Sequence, residues 1–214
     1  MIILYILVSI VVLYLFLMIL QSILCKQSKF TIYFGIPGSG KSTIAALIAK
    51  KEMKKRKKGR RVFSNFAIKG TNVLNKEDIG VYDMYNSLLI IDEAGVDYDN
   101  RNWKNNLNPD QVYFYKHYRH YHCDIVMFSQ SIDVDIKLRN LANEYRIVKK
   151  SIIPFFVTTK LIKKKIDINK DTGEIIDRYY FVFLSSKRYF SPKAWKLFNS
   201  YQRKELLTKQ YDVY

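Results

Sequence analysis

Cysteine is nearly missing: the 214-residue chain has two, Cys25 and Cys123. A count this low excludes a disulfide framework and a cysteine-rich zinc site. A reduced, cytoplasmic setting is the simplest account. Acid is also scarce, with 19 Asp+Glu against 36 Lys+Arg and a net charge of +17. So basic a surface attracts nucleic-acid phosphates or anionic lipid headgroups, although a generally Lys-rich composition would look the same. Neither an internal repeat nor a long linker interrupts the chain. Because 49% of the residues are hydrophobic and only 26% charged, wholesale disorder is excluded.

Charge is wholly absent from the first 25 residues. Ile2 to Leu24 reads IILYILVSIVVLYLFLMILQSIL, and about 20 such residues in a helix cross a bilayer core. The run is apolar on every face, unlike a helix that lies along the surface. It lacks the charged start and small-residue cleavage site of a signal peptide. Lys26 and Lys29 follow it at once, so the positive-inside rule keeps the remainder in the cytoplasm and the N-terminus outside. Cys25 reads as an ordinary interfacial thiol. The expected organisation is a transmembrane helix over 1–25 and a cytoplasmic domain over 26–214. The latter is long enough for one α/β domain and too short for two.

Past the apolar segment, strand and helix patterns alternate. Phe30 to Phe34 is β-rich, Lys41 to Lys58 reads as a helix, and Arg61 to Phe66 as a second strand. Leu88 to Ile91 is an apolar run of the kind buried within a parallel sheet. Asn108-Pro109-Asp110 starts a helix, with capping Asn, Pro in the first turn and acid at the positive dipole end. That helix is expected to reach about His122. Asp124 to Phe128 is a strand, Ile132 to Ala142 a helix and Tyr145 to Val148 a strand. Phe155 to Ile168 and Ile175 to Leu184 flank the turn Asn169-Lys-Asp-Thr-Gly173, giving a hairpin. A last helix is expected near Pro192. The fold class is α/β, a mostly parallel sheet covered on both faces.

Gly35-Ile36-Pro37-Gly38-Ser39-Gly40-Lys41-Ser42 fits the phosphate-binding loop, with a strand before it and a helix after it. Glycines let backbone N–H groups wrap the phosphates, and the helix N-terminus adds positive potential. The ATP-binding set is Gly35, Pro37, Gly38, Ser39, Gly40, Lys41, Ser42 and Thr43. Lys41 reaches the β/γ-phosphates, and Ser42 binds Mg²⁺. Asp92 and Glu93 end the LLII strand: Asp92 is placed to hold Mg²⁺ through water and Glu93 to orient and deprotonate the attacking water. Gln130, after the DIVMFS strand, is a candidate γ-phosphate sensor, or else a strand-end turn residue. Arg139 is the candidate arginine finger for a neighbour's ATP, ahead of Arg119 and Arg101, with a plain surface arginine as the alternative for each.

His117, His120, His122 and Cys123 invite a metal reading, but no second ligand group accompanies them in the sequence. The surrounding YFYKHYRHYH is basic and aromatic, which suits either core packing or stacking on nucleic acid. The run from Lys50 to Arg61 carries more cations than a helix C-terminus needs, and anionic lipid or DNA is its expected target.

GIPGSGKST, GRRVFSNF, LLIIDEAG, YRHYHCDIVMFSQ and DIKLRNL occur in this order. In that arrangement the chain resembles the zonular occludens toxin-like ATPases, which include filamentous-phage assembly and export proteins. The resemblance covers roughly Phe30 to Val148 and, more weakly, the chain as far as Tyr201. It implies a P-loop fold related to FtsK/HerA-type DNA pumps. It also implies a homo-oligomer, by analogy a hexameric ring, that extrudes phage single-stranded DNA and coat protein through the host inner membrane. Two departures stand out. The family often has His-Arg-His-x-Gly where this chain has Tyr118-Arg119-His120-Tyr121-His122, and many relatives carry the membrane helix after the ATPase domain. A conjugation-type DNA pump and a membrane scaffold without motor activity are the competing functions.

Overall fold

The structure, a computed structural model, describes residues 2–24, 27–55, 59–97, 108–131, 134, 136–168 and 175–198. Helix α1 (Ile2–Leu24) comes first. At 1.5 Å per residue it is about 34 Å long. Its described side chains, Tyr5 to Met18 among them, face outward and join neither hydrophobic cluster of the domain. Ser9 Oγ donates to Ile6 O at 2.8 Å, which satisfies that hydroxyl within the helix. Among the described residues no helix is long and apolar enough to cross a membrane. The unbroken run of α1 with described side chains, 5–18, is shorter than the about 20 residues a span takes, and Cys25 lies outside the described residues.

Nine strands among the described residues form one sheet in the order β3-β2-β4-β5-β1-β6-β7-β8, with β9 also paired to β7. They are β1 (Phe30–Phe34), β2 (Arg61–Ser64), β3 (Asn72–Val73), β4 (Ser87–Ile91), β5 (Asp124–Ser129), β6 (Glu144–Lys150), β7 (Phe156–Ile168), β8 (Ile175–Phe181) and β9 (Lys187–Phe190). From β3 through β6 every pairing is parallel, and β7 to β9 add antiparallel pairs. The apolar runs of β1 and β4 follow from this, because both are buried at every residue between neighbours on both sides.

Helix α2 (Lys41–Met53) covers one face. Its Ala45, Ala46 and Ala49 are fully buried against Tyr33, Leu88, Ile90 and Phe128; short side chains let the helix lie close to the strands. Helices α4 (Pro109–His117) and α5 (Ile136–Leu141) cover the other face, packing Phe114, Tyr115 and Leu138 on Phe30, Leu89, Ile125 and Met127. A single turn, α3 (Ala94–Asp97), follows β4.

Several expected boundaries need correction. Helix α2 stops at Met53, where Lys55 N bonds Glu52 O in a turn. The helix begun by Pro109 stops at His117 rather than His122, because His120 N→His117 O and His122 N→Arg119 O bonds tighten the chain into turns. His122 itself takes φ 49°, which closes any helix. The expected helix over 132–142 is shorter, Ile136–Leu141. Near Pro192 a 3-10 turn, Ser191–Lys193, replaces the helix among the described residues. The hairpin is present as β7 and β8, and its turn at 169–173 lies outside the described residues. The edge strand β3 and the strand β9 were not legible in the sequence.

Leu89 is fully buried in the middle of β4. Leu89→Ala is expected to cost about 3 kcal/mol, a fall of roughly 6–12 °C in Tm by thermal unfolding. Val73→Ala, at an edge position 79% exposed, should change Tm by no more than about 2 °C.

Candidate functional site

Parallel strands β1, β4 and β5 end together at the carboxyl edge of the sheet. There β1 runs into the loop Gly35–Gly40, whose Gly35 N–H donates to Ser129 O at 3.1 Å and so moors the loop to β5. Ser39 N→Ile36 O, at 3.1 Å, closes the turn. Gly40 takes φ 99°, and a Cβ there would stand 2.6 Å from Val157 Cγ2. Glycine is required on both counts, and β7 is in direct contact with the loop. α2 then starts at Lys41, aiming its free N–H groups into the loop.

Lys41 is 9% exposed. Its Nζ donates to Gly35 O at 2.6 Å and Ile36 O at 3.1 Å, so the ammonium sits inside the loop. Burial pushes its pKa down, and the facing carboxylates of Asp92 and Glu93 pull the other way. Ser42 Oγ donates to Asp92 Oδ2 at 3.2 Å across 50 positions of sequence. Burial holds the Asp92 carboxyl above the usual range, against the lowering effect of the Glu93 N–H, the Ser42 hydroxyl and Lys41. Glu93 N donates to Asp92 Oδ1 at 3.0 Å. Glu93 stands at φ 56°, a left-handed conformation that costs a non-glycine residue on the order of 1 kcal/mol. The turn it makes carries the chain off the sheet as β4 ends.

Asn65 is the part of this edge that sequence reasoning missed. Its side chain brackets the Asp92 backbone, donating through Nδ2 to Asp92 O at 2.9 Å and accepting from Asp92 N at 2.7 Å. The available signal was an amide side chain just after the strand that pairs with β4.

The residues fit a nucleotide phosphate with Mg²⁺. Ser39 Oγ is buried in the loop with no hydrogen-bond partner among the described residues. Nothing approaches the Cβ position of Gly38 within 4 Å. Ser42 and Asp92 offer hard oxygen ligands side by side. Pro37 is exposed and Thr43 half-buried on the first turn of α2. Exposed Gln130 lines a cavity of about 660 Å³ that opens beside the loop, with Phe34, Val148, Lys149, Tyr179 and Phe181. Lys149 Nζ lies 5.9 Å from the Phe181 ring centre.

The other candidates lie elsewhere. Arg139 is on α5, whose end leads into β6 at the amino edge of the sheet, away from its own chain's loop. Its Nε is buried without a hydrogen-bond partner among the described residues, and its carbonyl accepts from Tyr145 Oη. Arg119 rests on Tyr118, donating to its Oη at 3.2 Å, and Arg101 lies outside the described residues. His117 stacks on Tyr113 at 4.3 Å while His122 packs edge-on against Tyr85 at 5.3 Å. Cys123 is buried beside Ser87 Oγ at 3.2 Å. Among the described residues no group of His, Cys, Asp and Glu is arranged to hold a metal ion.

The family model for Zonular occludens toxin (Zot) matches residues 74–203, more than half of the chain, from before β4 to past β9. The N-terminal domain of zonular occludens toxin from Neisseria meningitidis has a similar structure, with a TM-score of 0.56 at 21% identity over 81% of this chain and 100% of that one. This shows a common fold. The genome packaging NTPase B204 of Sulfolobus turreted icosahedral virus 2, in complex with ATP-gammaS, gives a TM-score of 0.43 at 13% identity, covering 71% of this chain and 96% of that one. The RadB recombinase gives 0.43 at 13%, covering 76% and 92%. At these scores neither bears on the conclusions below. No curated protein sequence matches the chain.

Burial of Asp92 sets a pH-dependent cost. Its raised pKa means that the folded chain holds the proton more tightly than the unfolded chain does. Ionised Asp92 therefore destabilises the fold at neutral pH, and the penalty fades as the pH falls through the raised value toward the ordinary 3.8. Asp92→Asn keeps the shape and removes the charge. It should raise Tm at pH 7 without nucleotide, and the gain should shrink by pH 4. A variant less stable than the parent at pH 7 would contradict this.

Proposed function

The chain belongs to the zonular occludens toxin (Zot) family, and from that premise we propose a membrane-anchored P-loop ATPase that drives assembly and extrusion of filamentous phage through the host inner membrane. The observation that carries the enzymatic part is the 3.2 Å contact of Ser42 Oγ with Asp92 Oδ2, beside a lysine held within the loop. It joins the two halves of a nucleotide site from strands that are not sequence neighbours. Lys41 and the loop N–H groups bind the β- and γ-phosphates of ATP. Ser42 and Asp92 hold Mg²⁺, which neutralises phosphate charge when bound. Glu93, one residue further, takes the proton of the attacking water. Gln130 faces the same space and positions that water or the γ-phosphate. The adjoining cavity, walled by Tyr179 and Phe181, receives the nucleobase, for which an apolar flat surface is the natural partner.

The membrane part rests on α1, a helix of 23 residues without a charge, whose length matches a hydrocarbon core of about 30 Å. The charges of Lys26 and Lys29 support an ATPase domain in the cytoplasm and an N-terminus outside. Residues 25–29 connect Leu24 to β1, six steps that reach at most about 22 Å. The amino edge of the sheet therefore lies against the bilayer and the nucleotide edge faces the cytoplasm. Oligomers of this unit, a hexameric ring in this reading, handle single-stranded DNA and coat protein at the centre; Arg139, near the amino edge, is on the side opposite the ATP sites of a ring so oriented.

The test is ATP hydrolysis by the full-length chain in anionic lipid, with and without single-stranded DNA. DNA-stimulated turnover is expected, with a loss of at least about 100-fold in Glu93→Gln while nucleotide binding persists. Hydrolysis indifferent to DNA would move the cargo to coat protein, and no hydrolysis under any condition would favour the scaffold reading. For the base pocket, Phe181→Ala should raise KM for ATP about 10-fold, on the order of 1.4 kcal/mol, with kcat unchanged. An unaltered KM would remove Phe181 from the base site.

A further inference from the structure

A second concave site lies at the other end of α2. A cleft of about 530 Å³ runs between the C-terminal half of α2 and the β9 segment. Lys29, Lys51, Lys187, Arg188 and Lys193 line it. Three carboxylates are also present, and each is already engaged. Glu52 pairs with Lys55 at 2.6 Å and with Arg60 at 3.4 Å. Asp124 pairs with Arg60 and accepts from the backbone N–H of Lys29 at 2.7 Å. Glu144 pairs with Arg146. Among the described residues Lys29, Lys51, Lys187 and Lys193 have no carboxylate within ion-pair distance.

These cations face one another across the cleft. The Lys187 ammonium is pushed below its ordinary pKa, first by burial and then by Arg146, with Lys29 and Lys51 adding to the effect against the opposing pull of Glu144. A solvated face of lysines spreads its charges apart. Here they converge on one concavity, which leaves an electrostatic deficit that an anion would relieve. The floor of the cleft is apolar, with Leu47, Ile48, Phe156 and Phe190. A ligand that carries a phosphate beside a hydrocarbon portion satisfies both halves.

Position selects the source of that ligand. Lys29 immediately precedes β1, and α2 runs from the nucleotide edge back to the edge where the parallel strands begin. On the membrane reading of α1 given above, on which this inference rests, the mouth of the cleft faces the lipid headgroups. We propose that this cleft binds the headgroup of an anionic phospholipid, the phosphate held by Lys29, Lys51 and Lys187 and the glycerol end of the acyl chains lying on Leu47 and Ile48.

The probe is dihexanoyl-phosphatidylglycerol, added to the full chain in a neutral detergent, with Tm as the readout. A saturable rise in Tm is expected, and Lys51→Ala/Lys187→Ala should raise the half-saturating concentration at least 10-fold. Lys51→Glu should do the same with a single change. Lys116→Ala, an exposed lysine on α4 across the sheet, should leave it unaltered. No saturable rise in the parent chain, or an equal rise in the double variant, overturns the proposal. So does an identical effect of inorganic phosphate at the same concentration, which would mark a free-phosphate site. A single-stranded oligonucleotide whose binding is lost in Lys51→Ala/Lys187→Ala, and which the lipid does not displace, overturns it in favour of nucleic acid. Carbonate extraction of membranes carrying the chain separates the two layers of the argument: a chain that resists extraction yet ignores the lipid defeats the cleft alone, whereas an extracted chain defeats the membrane reading beneath it.

Discussion

The position of β1 constrains nearly everything else. It is buried at each of its five residues, held on one side by β5 and on the other by β6. Its carboxyl end fixes where Gly35 leaves the sheet, and the Gly35–Ser129 hydrogen bond sets that point against β5. Its amino end fixes where the chain arrives from α1. Five strand residues span about 17 Å. The phosphate loop and the approach from α1 are therefore separated by a fixed, rigid distance. A change that shifts β1 in register would flip its side chains between the α2 face and the α4 face, so the nucleotide site cannot be remodelled independently of the core.

At the carboxyl edge the fold keeps charge under tension. Lys41 and Asp92 are both pushed toward their neutral forms by burial, and each is partly restored by the other. Glu93 adds a left-handed residue at the same place. None of this serves the unliganded fold. On the function proposed above, a nucleotide phosphate with Mg²⁺ would supply partners for the lysine, for the carboxylate and for the buried Ser39 hydroxyl. Strain and desolvation held at one edge by a well-packed sheet are the expected mark of a binding site. The Asn65 clamp explains how the edge bears it: two hydrogen bonds fix the Asp92 backbone while its carboxylate remains free to face Ser42.

What was legible in the sequence divides by distance along the chain. The phosphate loop is a contiguous pattern with its strand and helix attached, so Gly35 to Ser42 were readable together. That Asp92 and Glu93 follow the end of β4 was readable, because a fully apolar run stops where the first charged residues appear. The Asn65 role was not readable, since it depends on β2 lying beside β4. The wall of the cavity beside the loop was hidden for the same reason: Tyr179 and Phe181 reach the loop only because β7 turns back beside β6 and brings β8 with it. Helix ends were misplaced wherever turns continued the helical sequence pattern, as at Tyr118 to His122. The short strands β3 and β9 carry no periodicity of their own and are set by the neighbours they pair with.

Helix α2 ties the two edges together. Its N-terminus follows the phosphate loop, and its last turn bears Lys50 and Lys51, of which Lys51 lines the basic cleft. The macrodipole makes the first end attractive to anions and the second attractive to cations. Two lysines would satisfy the second end, yet Lys29, Lys187 and Lys193 arrive there from other segments. Convergence from three separate parts of the chain is not explained by the dipole or by a Lys-rich composition, because neither has a reason to gather charges in one hollow. The same helix thus presents anion-attracting groups at both ends, backbone N–H groups at one and ammonium groups at the other, about 20 Å apart along a rod of 13 residues.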